Sequence, residues 1–557
     1  MNKAEQEIIK LLRKETKLKE INLEVPKDSS LGDYAFPCFQ LSKQYKQNPI
    51  EIAMDLAKKL SLPKSVKEIR EVGPYLNFFV DKQAIASDVI KNAQKEDYGK
   101  AKDKKKTYMI EYFHANTHKG VHIGHMRNIS MAEALCRILE NAGYKILRVN
   151  YQGDIGPHVA KCLWGYLNLK EKEPLTHKGT WLGKIYSKAH LKSQVDPQVE
   201  EQIKEINNKL YEKSPDVMEV WQKTRKYCLD DFNDFYKEFG IKFNKFYFES
   251  EAEGVGIEIV NKMLEKGSAK EDDGAIIIDL DDLGIYVLLT QDGNALYSTK
   301  DLGLAQLKQD EFKFDKSIHV TGAEQILHFK QLFKTLEILK SPMAKKSMHI
   351  PYGLVVLPEG KMSSREGTMV LFDELREKLI TEAEKGIKSR HKDLTKKEID
   401  KRKMQIAYSA LKFSMINREN NKDIVFDWEK ALDFEGETGP YIQYAHARIS
   451  SILKKYGKAV QQKIKSAALD TDEDAKLILL LTKFPEKVEE SAKSYKPHLV
   501  ARYLLDLAQA FNEFYHACPI LQSDEDTKLA RLNLILAVQQ VLKNGLNLLG
   551  IEAPEAM

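Results

Sequence analysis

A parallel α/β core, preceded by a small α/β module and followed by an all-helical bundle, is the fold class this sequence predicts. Three observations carry the prediction. Strand-like and helix-like segments alternate from about residue 107 to 356, β signals fade after about residue 373, and a histidine- and glycine-rich loop sits between the first strand and first helix of the alternating part. The expected divisions are residues 1–95, 96–372 and 373–557, with a charged helical insertion at about 170–243. A chain of 557 residues is in any case too long for one core.

In order, MNKAEQEIIKLLRKETK reads as an amphipathic charged helix, SSLGDYAFP as a loop, residues 49–60 as a helix and PYLNFFV as a strand. The lysine-rich GKAKDKKKT that follows reads as a solvated linker. TYMIEYF at 107–113 is β-branched and aromatic enough for a strand. Met131, Leu135, Ile138 and Ala142 then recur at helical spacing, so one helix face can pack on a sheet, and KILRVNY at 145–151 is a second strand after an Ala-Gly break. Beyond the insertion, AIIIDL at 275–280 and IYVLL at 285–289 read as buried strands. A helix from Thr299, the strand KSIHVT at 316–321, a helix at 323–340 and a strand within MHIPYGLVVL complete a Rossmann-like pattern whose halves flank one nucleotide crevice. Helical periodicity then runs through EKLITEAEKGI, MQIAYSALKFSMI, YIQYAHARISSILKKY, HLVARYLLDLAQAFNEFY and LARLNLILAVQQVLKNGLNLL. The stretch at 388–403 reads as an exposed connector or helix face, and no repeat of fixed period is evident.

Composition narrows the class. The net charge is only +5, so a basic face for nucleic acid is open but not demonstrated by the total. Cys38, Cys136, Cys162, Cys228 and Cys518 form no C-x-x-C pair, which argues against a zinc knuckle or a disulfide framework and for reduced core residues. No run of 18 apolar residues occurs and the amino terminus is unlike a secretory signal, so a soluble cytoplasmic protein is expected.

The chemistry concentrates in YFHANTHKGVHIGHMRN at 112–128. A His-x-Gly-His match should arise by chance roughly 0.02 times in a chain of this composition, so its context must decide its meaning. At a strand-to-helix turn, unpaired backbone N–H groups and the positive helix end stabilise a phosphate. His122 and His125 add donors, and Gly124 lets a nucleotide approach the backbone. A second loop, LPEGKMSSREGT at 357–368, offers Lys361 in a pliant setting, able to neutralise charge on a departing pyrophosphate.

Taken in order, His122-Ile-Gly-His125 and Lys361-Met362-Ser363-Ser364 resemble the paired signatures of class I aminoacyl-tRNA synthetases. Surrounding text narrows the resemblance to the arginyl-tRNA synthetase family: Asn116 and Lys119 ahead of the histidines, NYQGDIG at 150–156, LYSTKD at 296–301, EQILH at 324–328, DFEGETGPYIQYAHAR at 433–448 and the terminal GLNLLGIEAPEAM. The resemblance covers nearly the whole chain and is least clear in the insertion. It implies an N-terminal module that binds the tRNA elbow, a helical domain that binds the anticodon, and a ligase acting in two steps. The arginine carboxylate attacks the α-phosphorus of ATP and expels Mg²⁺-pyrophosphate; a ribose hydroxyl of the terminal adenosine of tRNA(Arg) then takes the arginine. Implied partners are L-arginine, tRNA(Arg) and ATP with Mg²⁺ as its substrate complex. A monomer without membrane association, zinc or a dedicated metal site is expected, as is arginine activation that waits for bound tRNA. In one departure, the general Lys-Met-Ser-Lys ends here in Ser364 followed by Arg365, and the family pattern implies that Lys119 supplies charge to the phosphates.

The resemblance also places Asp301 and Glu249 at the guanidinium, Tyr297 and Gln325 along the substrate, and Asn116 and Asn150 at its α-amino and carboxylate end. Carboxylates suit a planar guanidinium, whose fork an ammonium cannot reproduce. Tyr441, Tyr444, His446 and Arg448 fall on the helix implied to touch tRNA. Read without the resemblance, Asp301 is a helix-start carboxylate and Tyr297 a half-buried aromatic. Two other functions fit parts of the chain. A small-molecule nucleotidylyltransferase accounts for the histidine loop but not the flanking domains, and a catalytically silent tRNA-binding relative has no chemical need for His122, His125 and Lys361.

Overall fold

The computed structural model describes residues 3–26, 28–356, 358, 370–390 and 393–557. At its start α1 (Lys3–Thr16), α2 (Phe39–Tyr45) and α3 (Pro49–Lys59) accompany an antiparallel sheet of β1 (Tyr34–Pro37), β2 (Val66–Val72) and β3 (Tyr75–Val80), ordered β1-β3-β2. The opening helix, the 49–60 helix and the PYLNFFV strand lie where the sequence puts them. YAFP, expected in a loop, is instead β1. All its residues are buried against β3, and this pairing outweighs the turn chemistry just before it. Helix α4 (Lys82–Ala93) leads out of the module onto the C-terminal bundle.

The core begins with β4 (Thr107–Glu111), α5 (Ile123–Asn141) and β5 (Lys145–Gln152). The insertion contributes α6 (Pro157–Asn168), α7 (Lys178–Val195), α8 (Pro197–Tyr211) and α9 (Pro215–Phe239), and β6 (Lys245–Phe248) and α10 (Glu249–Glu265) follow it. Next come β7 (Lys270–Asp272), β8 (Ala275–Asp279), β9 (Ile285–Leu289) and α11 (Tyr297–Glu311). The core closes with β10 (Lys316–Gly322), α12 (Ile326–Ile338), α13 (Met343–Lys346), β11 (Ser347–Tyr352) and β12 (Val355–Val356). The central sheet is parallel throughout, ordered β11-β10-β4-β5-β6. Strand order reverses between β4 and β10, so their carboxyl ends bound the crevice in which such sheets bind ligands.

AIIIDL and IYVLL do not join that sheet. They are β8 and β9, antiparallel with β7 in a separate layer, and β9 leaves Ile285 56 % and Val287 37 % exposed. Their outward positions are also aliphatic, which hid a half-buried strand inside a continuous apolar run.

The bundle comprises α14 (Phe372–Arg390), α15 (Lys396–Ile416), a parallel link of β13 (Ile424–Val425) to β12, α16 (Trp428–Ala431), α17 (Gly439–Tyr456), α18 (Asp472–Ser494), α19 (His498–Ala517) and α20 (Glu525–Leu548). The sequence reading passed over α18. Pro485 lies inside it, yet the helix continues, and Leu477, Leu481, Phe484 and Val488 bury one continuous face. Helix α5, for which one packing face is expected, is enclosed by the sheet on one side and by α15, α18 and α20 on the other, so even Arg127, Asn128 and Glu133 are buried. Arg127 donates to the carbonyls of Met415, Glu419 and Asn420 at the carboxyl end of α15, and burial lowers its guanidinium to about 10. All five cysteines are buried and free, and among the described residues no helix is long and apolar enough to cross a membrane.

Helices α10 and α11, which carry Glu249, Tyr297 and Asp301, meet backbone to backbone. A Cβ on Gly303 would collide with the Ala252 carbonyl and lie 2.7 Å from the Gly256 nitrogen. Gly303→Ala should therefore lower stability by about 1–3 kcal/mol, seen as a lower urea midpoint. An unchanged midpoint overturns this account of the contact.

Candidate active site

The loop after β4 is held in an uncommon conformation. Phe113, His114 and His118 have φ of 82°, 54° and 62°, a region that costs side-chain-bearing residues on the order of 1–3 kcal/mol each and persists only where the surroundings enforce it. They do. Phe113 N–H donates to Asn128 Oδ1 (2.5 Å), His114 N–H to Asn150 Oδ1 (3.3 Å), Thr117 N–H to the Gly153 carbonyl (2.9 Å) and His118 N–H to Cys228 Sγ (3.1 Å). Asn128 in turn donates from Nδ2 to the Val320 carbonyl (2.7 Å), tying α5 to β10 across the crevice. Beneath it, Glu111 at the end of β4 forms an ion pair with Lys308 of α11 and accepts from His319 Nδ1 of β10 (3.1 Å). Burial, the largest single influence, opposes ionisation of Glu111, but the Lys308 charge together with His319, which also hydrogen-bonds the carboxylate, outweighs it and holds the carboxyl well below its usual range.

His122 is the N-cap of α5. Its Nδ1 accepts from Gly124 N–H (3.2 Å), and His125 Nδ1 accepts from His122 N–H (3.1 Å). Burial, then the Lys119 charge, lowers His122 to about 4; burial also drives His125 well down, with His122, His114 and Lys119 adding to it. Both rings are thus neutral with Nδ1 accepting, which leaves the proton of each on Nε2. The site therefore holds two uncharged N–H donors at a helix amino terminus. A side chain on Gly124 would press on the His122 ring at 3.0 Å. Lys119 Nζ lies 5.3 Å from the Tyr186 ring centre.

Lys361, Met362, Ser363 and Ser364 lie outside the described residues. The chain just beyond them is described and runs antiparallel to the histidine loop. His122 bridges Leu371, Ile123 N–H donates to the Val370 carbonyl (3.2 Å), and Phe372 N–H donates to the Val121 carbonyl (2.8 Å).

Acidic groups gather beside this loop. Asn116 and Glu249 flank Gly153, where an added Cβ would come within 3.0 Å of Asn116 Cγ and of Glu249 Oε1. Glu249 Oε2 lies 2.9 Å from Lys300 Nζ, which Glu253 also meets at 3.4 Å. Burial alone would depress the Lys300 ammonium, but Glu249 foremost holds it charged. Asp301 Oδ2 is 2.6 Å from His328 Nε2. Tyr297 stands 70 % exposed at the first position of α11, and Gln325 is exposed in the short turn after β10. Burial, with the charges of Asp301 and Glu249 adding to it, raises the pKa of the Tyr151 phenol, and the same two carboxylates act on the Tyr297 phenol. The Tyr151 phenol oxygen is buried and has no hydrogen-bond partner among the described residues.

Sequence reasoning missed Tyr151, Lys300 and Asn128, although all stand inside or beside the quoted motifs. Asn150 is expected at the substrate. It is fully buried, and its amide is engaged on both sides, by His114 N–H and by the Tyr236 hydroxyl (2.9 Å), so it props the loop from below.

The chain matches the family model described as tRNA synthetases class I (R), catalytic domain, over residues 88–428, with the arginyl tRNA synthetase N terminal domain over 2–80 and the DALR anticodon binding domain over 442–557. It is 38 % identical over 548 residues to the arginine–tRNA ligase of Bdellovibrio bacteriovorus, covering 96 % of this chain and 93 % of that one. The chain belongs to the arginyl-tRNA synthetase family. The arginine–tRNA ligase of Clostridioides difficile is 35 % identical over 545 residues, covering 96 % of this chain and 95 % of its own. The solved arginyl-tRNA synthetase of Thermus thermophilus superposes with a TM-score of 0.80 over 99 % of both chains at 27 % identity.

In this synthetase fold the remaining candidates fall on two sides of α17. Tyr441, Tyr444 and Arg448, spaced i, i+3, i+7, line a cavity of about 400 Å³ together with Phe434 and His516. The Arg448 guanidinium lies 4.5 Å from the Tyr444 ring centre. His446, expected on the tRNA surface, is 3 % exposed on the opposite face, where Nδ1 meets the Pro554 carbonyl at 2.8 Å and pins the C-terminal tail.

The buried histidines make stability depend on pH. Burial lowers His118 to about 3 and His122 to about 4, against 6.5 for an exposed imidazole. Above pH 6.5 folded and unfolded chains are equally unprotonated there. Below it only the unfolded chain gains protons, so stability should fall steadily as pH drops from about 6.5 to 4. Urea titrations across that window should show the fall, with a shallower slope for His118→Gln. An identical slope in the variant overturns the role of His118.

Proposed function

We propose that the protein is an arginine–tRNA ligase, which couples ATP cleavage to AMP and pyrophosphate with attachment of L-arginine to the 3′-terminal adenosine of tRNA(Arg). The observation that carries this reading is the pairing of residues 370–372 with residues 121–123. It fixes residues 370–372 beside the His122–His125 turn, with Glu249 and Asp301, the carboxylates of the proposed arginine pocket, on α10 and α11. A nucleotidylyltransferase or a silent tRNA-binding relative gives no account of that pocket.

ATP, carrying its own Mg²⁺, sets its phosphates against the α5 amino terminus. His122 and His125 donate from Nε2, and Lys119 and the loop of Lys361, Met362, Ser363 and Ser364 bring positive charge to the departing pyrophosphate. Arginine lies with its guanidinium at Asp301 and Glu249, its aliphatic part along Tyr297 and Gln325, and its α-amino end near Asn116. Asn150 acts through the loop it props. No enzyme nucleophile is needed, because the carboxylate of arginine attacks phosphorus directly. Positioning of the two substrates can supply about 7–11 kcal/mol. Residues 1–95 meet the tRNA elbow, and residues 373–557 meet the anticodon, with Tyr441, Tyr444 and Arg448 on the contact surface. The protein works as a cytoplasmic monomer and requires no zinc.

His125→Ala should lower tRNA-dependent ATP–pyrophosphate exchange by about 10²–10³ while leaving tRNA affinity nearly intact. Near-normal exchange removes His125 from the chemistry. Asp301→Asn should raise the KM for arginine at least about tenfold and weaken rejection of lysine. Unchanged values for both take Asp301 out of the pocket.

A further inference from the structure

Asp301 has a partner that the binding of arginine does not itself require. His328 Nε2 lies 2.6 Å from Asp301 Oδ2, and His328 Nδ1 lies 3.1 Å from the hydroxyl oxygen of Tyr286. The three residues come from the first turns of α11 and α12 and from β9, so one line of hydrogen bonds joins the small antiparallel sheet to the pocket. An ionised carboxylate only accepts, which assigns the facing proton to His328 Nε2. Tyr286 is 5 % exposed, and burial together with the Asp301 charge keeps its phenol protonated, so it donates to Nδ1. The imidazole is thereby fixed in one tautomer with its donor edge on the carboxylate.

Glu249 is restrained in the same manner, with Oε2 engaged by Lys300 Nζ at 2.9 Å. Each carboxylate therefore has one oxygen held by a side-chain donor and a second to offer. A carboxylate free to rotate follows an ammonium as readily as a guanidinium. Two whose torsions are fixed favour the ligand whose own N–H directions are fixed, since five coplanar donors can meet aimed acceptors without further ordering. We propose that His328, supported by Tyr286, is a positioning residue that sets the arginine-over-lysine selectivity of the pocket by locking the orientation of the Asp301 carboxylate. The inference rests on Asp301 being an acceptor for the guanidinium.

The test is ATP–pyrophosphate exchange by the full-length protein with tRNA present, comparing Asp301→Asn, His328→Ala, His328→Gln and Tyr286→Phe. His328→Ala should raise the KM for arginine about tenfold and lower the arginine-to-lysine ratio, with kcat and the KM for ATP little changed. His328→Gln, whose amide can again donate to Asp301, should recover most of the loss. Tyr286→Phe removes a single oxygen and should give a smaller rise in the same parameter, so it decides the matter if His328→Ala folds poorly. If Asp301→Asn impairs arginine binding while Tyr286→Phe and His328→Ala leave the arginine KM and the lysine ratio unaltered, the positioning role is wrong and the Asp301 assignment survives. If Asp301→Asn itself has no effect, the underlying pocket assignment fails. Equal losses in kcat and in both KM values, without recovery by glutamine, indicate general disruption and also overturn the proposal.

Discussion

Two backbone hydrogen bonds, from Ile123 N–H to Val370 and from Phe372 N–H to Val121, are the constraint on which the site depends. They join the turn that begins α5 to the strand-like exit of the segment containing Lys361, two stretches far apart in sequence. Loop closure over such a separation is entropically costly, and fixed backbone pairing places that cost in folding rather than in each catalytic cycle. The surrounding architecture maintains the alignment. Gly120 admits Leu371, since a Cβ there would lie 2.6 Å from its Cδ2, and Gly183 lets α7 pass close to this loop, since a Cβ on it would lie 2.6 Å from the Gly120 nitrogen.

Charge is distributed around that seam with an economy of buried ions. Lys308 sits on Glu111, Lys300 on Glu249 and Glu253, and Arg225 on Asp154 at 2.8 Å. Buried pairs of this kind return little net stability, because desolvation consumes most of the attraction. Their value lies in geometry. Asp154 also accepts from Ser250 N–H (3.0 Å) and Ser250 Oγ (2.8 Å), so the turn after β5 and the start of α10 share one anchor and Glu249 arrives at a defined place. The histidines of the signature stay neutral, so they bring donors rather than charge to the α5 amino terminus.

Much of this was legible in the sequence because the motifs are local. The β4-loop-α5-β5 unit is announced by a strand, a glycine-histidine turn and a helical period, and the bundle by long amphipathic repeats. What was hidden depends on tertiary partners. YAFP becomes a strand only because β3 lies beside it; β8 and β9 leave the main sheet because their second face meets solvent; α18 continues through Pro485 because its apolar face is held on α19 and α4. The side chains show the same division. Motif membership singled out Asn150 and His446, but not that their polar atoms are consumed internally by Tyr236 and Pro554. Tyr151, Lys300 and Asn128 went unnoticed, since a tyrosine, lysine or asparagine in a motif does not reveal which way it faces.

Arg127 adds a different kind of dependence. Among the described residues its guanidinium bonds to no carboxylate, only to the carbonyls that close α15. If the last turn of α15 frays, a buried cation loses the groups that solvate it, so local melting at that helix end is penalised in the helix that begins at His122. The helix that begins at His122 and the neighbouring bundle helix are thereby coupled in stability. Excising the bundle would uncover the face of α5 that it buries, which makes the α/β portion a poor candidate for an autonomous fragment.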